Sequence, residues 1–125
     1  MGKPWDLDRK HGGVTILQPS YRGEAAHWYL KAAEQGDSDA QASLGLMYLE
    51  GLGVLQNDDK ALGWLRRAAE QGQIAAQNIL GVMYSTGRGV PQEASQAAGW
   101  YRLAAEQGFA LAQANLGVLY LEGRG

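Results

Sequence analysis

Two histidines are the residues best suited to hold a metal ion or to move protons. His11 and His27 are the only histidines in the chain, and neither has a second metal ligand four residues away. Helical zinc sites commonly take two ligands at that spacing. We therefore predict no metal site and no cofactor, and we interpret His27 as a residue on a helix surface.

Serine and glutamate side chains are the remaining candidates for catalysis. No serine lies in a Gly-x-Ser-x-Gly elbow or in a Ser-x-x-Lys motif, the two local patterns typical of serine acyl transfer. Glu34, Glu70 and Glu106 recur at one position of a repeat, which is typical of a structural partner for an arginine or a backbone amide. We predict no catalytic residues and no enzymatic activity.

Glycine-rich segments such as GLGV and GRGV, which begin at Gly51 and Gly87, could in principle bind phosphate. Phosphate-binding loops also need a downstream Lys-Ser/Thr or a preceding strand, and neither accompanies these segments. The glycines therefore predict turns, in which Gly51 and Gly87 end one helix while Gly53 and Gly89 let the chain reverse.

Composition narrows the class of partner. The chain has 125 residues and a net charge of -2, with acidic and basic residues interspersed, so nothing predicts nucleic-acid binding.

The chain has no cysteine, which excludes disulfides and thiolate metal sites and leaves the compartment open. No apolar run approaches the ~20 residues of a membrane span, and no signal-peptide pattern opens the chain. We expect a protein soluble as given, without membrane insertion.

Internal repetition organises most of the chain. Trp28, Trp64 and Trp100 recur every 36 residues within WYLKAAEQG, WLRRAAEQG and WYRLAAEQG. A second motif has the same period and reads AQASLGLMYLEGLGV, AQNILGVMYSTGRGV and AQANLGVLYLEGRG. The pattern predicts a non-repeat segment, 1–20, and a repeat domain, 21–125, made of a half repeat 21–39, full repeats 40–75 and 76–111, and a half repeat 112–125.

Apolar spacing within each unit is helical and predicts an A helix followed by a B helix. The A helices are expected at Asp39–Glu50, Ala75–Thr86 and Ala110–Glu122, and the B helices at Gly23–Gln35, Asp58–Gln71 and Glu93–Gln107. At the position that precedes helix B, Asn57 is expected to cap well, whereas Tyr21 and Glu93 are expected to cap poorly.

Two glycine series have different structural meanings. Gly36, Gly72 and Gly108 are expected to end the B helices in the left-handed conformation. Gly45, Gly81 and Gly117 fall inside the A helices, where glycine costs about 1 kcal/mol relative to alanine. We expect close approach of helices A and B to offset that cost, with the indole of Trp64 or Trp100 beside the glycine.

The combined pattern, A-x3-LG-x2-Y-x2-G-x-GV and then A-x2-W-x3-AA-x2-G, closely resembles the Sel1-like repeat, a relative of the tetratricopeptide repeat. The resemblance covers residues 21–125. It implies an all-α fold, an α/α solenoid of helix-turn-helix repeats with a right-handed superhelix, and a role as a protein-binding adaptor or scaffold. Family members with a cysteine pair in each repeat have been linked to penicillin binding, and a chain without cysteine does not share that feature.

By analogy with tetratricopeptide geometry, the A helices line a concave face that binds the partner. The expected binding residues are Leu46, Leu49, Glu50, Asn78, Val82, Ser85, Val118 and Leu121. This mostly apolar stripe suits a hydrophobic peptide or helix, with Asn78 available to hydrogen-bond an extended backbone. The alternative is that these side chains pack against adjacent A helices and leave little groove exposed.

The incomplete terminal repeats suggest a second function, end-to-end self-assembly into a homo-oligomer. The first B helix is expected to expose Trp28, and the last A helix to expose Leu116 and Tyr120. Bare apolar faces of this kind promote association. Residues 1–20, with the apolar residues Val14, Ile16 and Leu17, could instead fold back over the first helix and leave a monomer.

The glycine assignment predicts opposite effects at two positions. Gly72→Val should destabilise the protein far more than Gly63→Ala, because a β-branched residue resists positive φ whereas alanine improves a helix interior. Thermal melts followed by circular dichroism compare the two variants, and equal melting temperatures would show that the helix ends are misplaced.

Overall fold

The computed structural model describes the backbone of residues 17–125 and the side chains from Tyr21 onward. Its helices are α1 Leu17–Glu34, α2 Ser38–Glu50, α3 Asp58–Glu70, α4 Ile74–Thr86, α5 Ala94–Glu106 and α6 Ala110–Leu121. Each helix packs on its neighbours in sequence, which confirms the predicted all-α architecture of helix-turn-helix repeats. His11, Val14 and Ile16 lie outside the described residues.

The observed helix bounds agree with the expected ones except at the first helix. Helices α2 to α6 begin and end within one residue of the predicted positions. Helix α1 begins at Leu17 instead of Gly23, so Tyr21 lies inside the helix and is no cap. Pro19 falls in the first turn of α1, where a missing N–H costs nothing because these groups have no partner within the helix.

Side chains cap three of the helix N-termini. Asp37 accepts a hydrogen bond from the Ala40 amide at 2.8 Å, and Asn57 accepts one from the Lys60 amide at 3.0 Å. Gln73 caps α4 in the same way. Glu93 makes no side-chain capping bond. The predictions for Asn57 and Glu93 are therefore confirmed.

Left-handed glycines end the helices as expected. Gly36, Gly72 and Gly108 follow the B helices with φ of 97°, 92° and 87°. Gly51 and Gly87 follow the first two A helices with φ of 70° and 77°. At each of these positions the chain leaves the helix without the Cβ clash that another residue would suffer.

Gly45 and Gly81 allow each of the first two A helices to approach its own B helix closely. A Cβ atom on Gly45 would lie 2.6 Å from Cγ of Leu65, and one on Gly81 would overlap the ring of Tyr101. The indole was expected beside the glycine, but the atoms nearest this space belong to Leu65 and Tyr101, the residue after each tryptophan. Trp64, about 100° further round the helix, is half-buried against apolar residues of α1 and α2.

Two buried glutamines, Gln41 and Gln77, each join three helices: their own A helix, the B helix before it and the B helix after it. Gln41 donates through Nε2 to the Ala33 carbonyl at 3.1 Å, and its Oε1 accepts from Gln71 at 2.7 Å. In the next repeat, Gln77 accepts from Gln107 at 2.8 Å and donates to the equivalent alanine at 3.2 Å. The nitrogen and the oxygen of each side-chain amide are both hydrogen-bonded, so Gln41 and Gln77 bury neither atom without a partner.

Arginines of the B helices also reach the A helix that follows. Arg66 donates through Nη2 to the Tyr84 hydroxyl at 2.6 Å, and Arg102 bonds the Tyr120 hydroxyl in the same way. These bonds connect successive repeats, so each unit is held by its neighbours as well as by its own helix pair.

The close approach at Gly81 predicts a matched pair of variants. Gly81→Ala should cost about 1–3 kcal/mol, because the added methyl overlaps a buried ring. Gly99→Ala, at an exposed site with open space around Cβ, should instead gain up to about 1 kcal/mol from helix propensity. Urea denaturation followed by circular dichroism measures both, and a Gly81→Ala variant as stable as the wild type would contradict the packing described.

Candidate protein-interaction surface

A small apolar pocket lies between the first two A helices, α2 and α4. Its volume is about 200 Å³, and apolar atoms form most of its wall. It is lined by Leu46, Leu49, Glu50, Ile79, Val82, Met83, Thr86 and Arg88. We call this the α2–α4 pocket. Four of its residues, Leu46, Leu49, Glu50 and Val82, are among those expected from the sequence.

The pocket is lined by both exposed and buried side chains. Leu46 and Val82 are each 39% exposed, whereas Leu49 and Met83 are buried. Glu50 is exposed at the end of α2. The buried pair therefore forms a floor, the two half-open aliphatic residues form the walls, and a carboxylate stands at the rim.

Asn78 is placed differently from the expectation. It is only 5% exposed, and its Oδ1 accepts a hydrogen bond from Nδ2 of Asn115 at 3.1 Å. The side-chain amide therefore links α4 to α6 inside the protein, and it is not available at the surface to bind an extended peptide backbone.

Ser85 also takes part in internal contacts. Its carbonyl accepts hydrogen bonds from Nη2 of Arg124 at 2.7 Å and from Nε2 of Gln92 at 2.8 Å. Burial raises the pKa of the neighbouring Tyr101 hydroxyl, while the hydrogen bond with the Ser85 side chain and the charge of Arg124 act in the opposite direction. Ser85 thus joins α4 to α5 and to the C-terminal turn.

Val118 and Leu121 lie on α6, one repeat beyond the pocket. Both are exposed, and they occupy the positions in their repeat that Val82 and Ser85 occupy in α4. The Asn115–Asn78 bond shows that α6 lies beside α4. These two side chains extend the apolar surface along the row of A helices.

Arg88, Ile79 and Met83 line the pocket and were not among the expected residues. Arg88 donates to the Leu49 carbonyl, and its Nε lies 3.4 Å from the Asp58 carboxylate. This arginine closes the pocket by joining the turn after α4 to the end of α2. Its place in the GRG segment gave no local signal for that contact, since its partners are distant in sequence.

The side chains considered for catalysis remain apart. His27 is exposed on α1 and stacks edge-on with Trp28, their ring centroids 5.0 Å apart. Glu34, Glu70 and Glu106 form no ion pair with another described residue. Within residues 17–125, no three potential metal ligands converge. None of the six described helices is both long and apolar enough to cross a bilayer.

Short stretches of the chain resemble an enzyme. The chain is 62% identical over 34 residues to a glucose-1-phosphate adenylyltransferase of Thermosipho africanus, a match that covers 27% of this chain and 8% of the enzyme. The corresponding enzyme of Clostridium novyi is 53% identical over 34 residues, or 9% of its length. Matches of this extent carry no enzymatic activity to the chain.

Solved structures match far more of the molecule. A Sel1 repeat protein from Oxalobacter formigenes superposes with a TM-score of 0.78 and 40% identity over 96% of this chain and 48% of its own. A protective antigen present in uropathogenic Escherichia coli strains, which displays an SLR fold, gives 0.76 and 44% identity over 78% of this chain and 21% of its own. This chain spans less than half the length of either protein.

The Sel1 repeat family profile matches four consecutive segments, residues 22–37, 38–73, 74–109 and 110–125. The two complete segments contain the helix pairs α2–α3 and α4–α5. Together the four segments cover nearly all of the described structure, and the chain therefore belongs to the Sel1 repeat family.

Proposed function

We propose that this protein is an adaptor that binds a peptide or helix of another protein along its A helices, with the α2–α4 pocket as the main anchor site. Sel1 repeat arrays typically serve as protein-interaction scaffolds. The observation that carries the proposal is the half-exposure of Leu46 and Val82 on either side of a buried apolar floor.

The size and lining of the pocket favour a protein ligand over a small molecule. Pockets for small ligands and cofactors usually measure about 300–1,000 Å³, and this one is about 200 Å³. Such a volume suits one large apolar side chain, which is how anchor residues of protein interfaces are usually held. The exposed aliphatic side chains of Val118 and Leu121 add contact area along the same row of helices.

The charge of Glu50 at the edge of the pocket indicates which type of residue should lie next to the partner's apolar anchor residue. The carboxylate of Glu50 is exposed, whereas the guanidinium of Arg88 is held by Leu49 and Asp58. A basic residue next to the apolar anchor would find Glu50 available. We therefore expect a partner segment with a large aliphatic or aromatic residue near a lysine or arginine.

Selection from a random peptide display library tests this proposal, because the library samples anchor and flanking residues without a named partner. Peptides selected on the full chain should carry such an anchor. They should bind at least ~10-fold more weakly to Leu46→Glu and Val82→Glu, because each change places a charge in the apolar wall.

Leu103→Glu is the matched control, since Leu103 is 46% exposed on α5, away from the pocket. It should leave peptide binding unchanged, and circular dichroism should show all three variants folded. Peptides that bind the pocket variants as tightly as the wild type, or a library that yields no binder, would count against the α2–α4 pocket as the site.

A further inference from the structure

The B helix of the first complete repeat, α3, carries a shallow cleft that is separate from the α2–α4 pocket. Its volume is about 230 Å³, and it is lined by Lys60, Gly63, Trp64 and Arg67. We call this the α3 cleft. None of these residues lines the α2–α4 pocket, and described helices precede and follow α3 in the chain.

Two cations flank the α3 cleft, and the surface between them is open. Lys60 and Arg67 are both exposed. They are seven residues apart, which separates their Cα atoms by about 10 Å along the helix axis. Between them lies Gly63, and nothing packs against the position that a Cβ atom on this residue would occupy. A ligand can therefore lie close to the helix backbone and reach both charges.

An aromatic ring accompanies each of the two cations. The guanidinium carbon of Arg67 lies 4.8 Å from the centroid of the Trp64 ring, and Nζ of Lys60 lies 5.4 Å from the centroid of the Tyr48 ring. Neither cation forms an ion pair with another described residue. Both are therefore held beside a ring and still have N–H donors for a carboxylate.

The equivalent positions of α5 indicate that the repeat packs without these charges. Gln96 and Leu103 stand where α3 has its two cations. Trp100 is nevertheless half-buried, like Trp64, and it packs against two apolar clusters. The packing of the tryptophan does not require the cations of α3, which leaves them for contact with a ligand.

We propose that the α3 cleft binds an acidic segment of another protein, with one carboxylate on Lys60 and a second on Arg67. Charge complementarity selects this ligand, because charge-assisted hydrogen bonds to carboxylates are the strongest that these side chains make. Acidic residues three apart in an extended segment are separated by about 9 Å, close to the separation of the two cations along α3.

A nucleic acid fits the α3 cleft less well than an acidic protein segment. Duplex DNA presents one phosphate charge for every ~1.7 Å of its axis, and its binders neutralise many of them. The α3 cleft offers two cations, on a chain whose net charge is -2.

A reciprocal exchange of residues between α3 and α5 tests the proposal. The α3-loss variant, Lys60→Gln with Arg67→Leu, gives α3 the residues of α5. The α5-gain variant, Gln96→Lys with Leu103→Arg, gives α5 the residues of α3, and α5 has a cleft at the same place. Both should fold, because the chain already has each residue at the equivalent position of the other repeat, and circular dichroism checks this.

Binding is measured by nuclear magnetic resonance titration with hexaglutamate. In the wild type, the Gly63 amide and the Trp64 indole N–H signals should shift, whereas those of Gly99 and Trp100 should not. The α3-loss variant should bind about 10-fold more weakly, as expected for the loss of two exposed ion pairs. The α5-gain variant should show additional shifts at Gly99 and Trp100. Hexaglutamine, the uncharged control, should cause no shifts.

Five results would overturn the proposal. They are a wild type that does not bind hexaglutamate, equal binding by the α3-loss variant, no additional shifts in the α5-gain variant, equal shifts with hexaglutamine, and tighter binding of a thymidine oligonucleotide than of hexaglutamate.

Discussion

The close approach of each A helix to its B helix at a mid-helix glycine is the contact on which the structure depends. Glycine in a helix interior is unfavourable by about 1 kcal/mol, yet Gly45 and Gly81 recur because Leu65 and Tyr101 need the space that a Cβ would take. This packing sets the distance within each helix pair. Leu46 and Val82, the residues that follow the glycines, lie about 100° further round the A helix, where they remain half-exposed.

Polar contacts add to the apolar clusters that already join neighbouring repeats. Gln41 and Gln77 each use both amide atoms to join the preceding B helix to their own. Arg88 and Arg124 join each later turn to the end of the preceding A helix. Because these contacts link only neighbouring units, they suit a linear array, in which stability is shared between adjacent repeats and each new repeat meets the same surface.

Sequence periodicity predicted the helices, the left-handed glycines and the Asn57 cap, because each of these depends on local chemistry. It did not identify which of two adjacent side chains, Trp64 or Leu65, fills the space over Gly45. The rotation of the B helix about its own axis decides which of them points there. The burial of Asn78 was missed for a related reason, as its partner Asn115 lies in the next repeat. The residues around Arg88 in the sequence do not indicate its contacts, because its partners Leu49 and Asp58 lie 30 or more residues earlier. Leu46 could be placed at the surface because its exposure follows from the repeat pattern.

A double-mutant cycle between residues 81 and 101 tests the central contact most directly. The stability change caused by Gly81→Ala is measured by urea denaturation in the wild type and in a Tyr101→Ala background. If the glycine exists to admit the tyrosine ring, the methyl should destabilise the wild type and should be neutral or slightly stabilising once the ring is removed. An equal loss of stability in both backgrounds would contradict this explanation, because it would show that Gly81 is not there to make room for the Tyr101 ring.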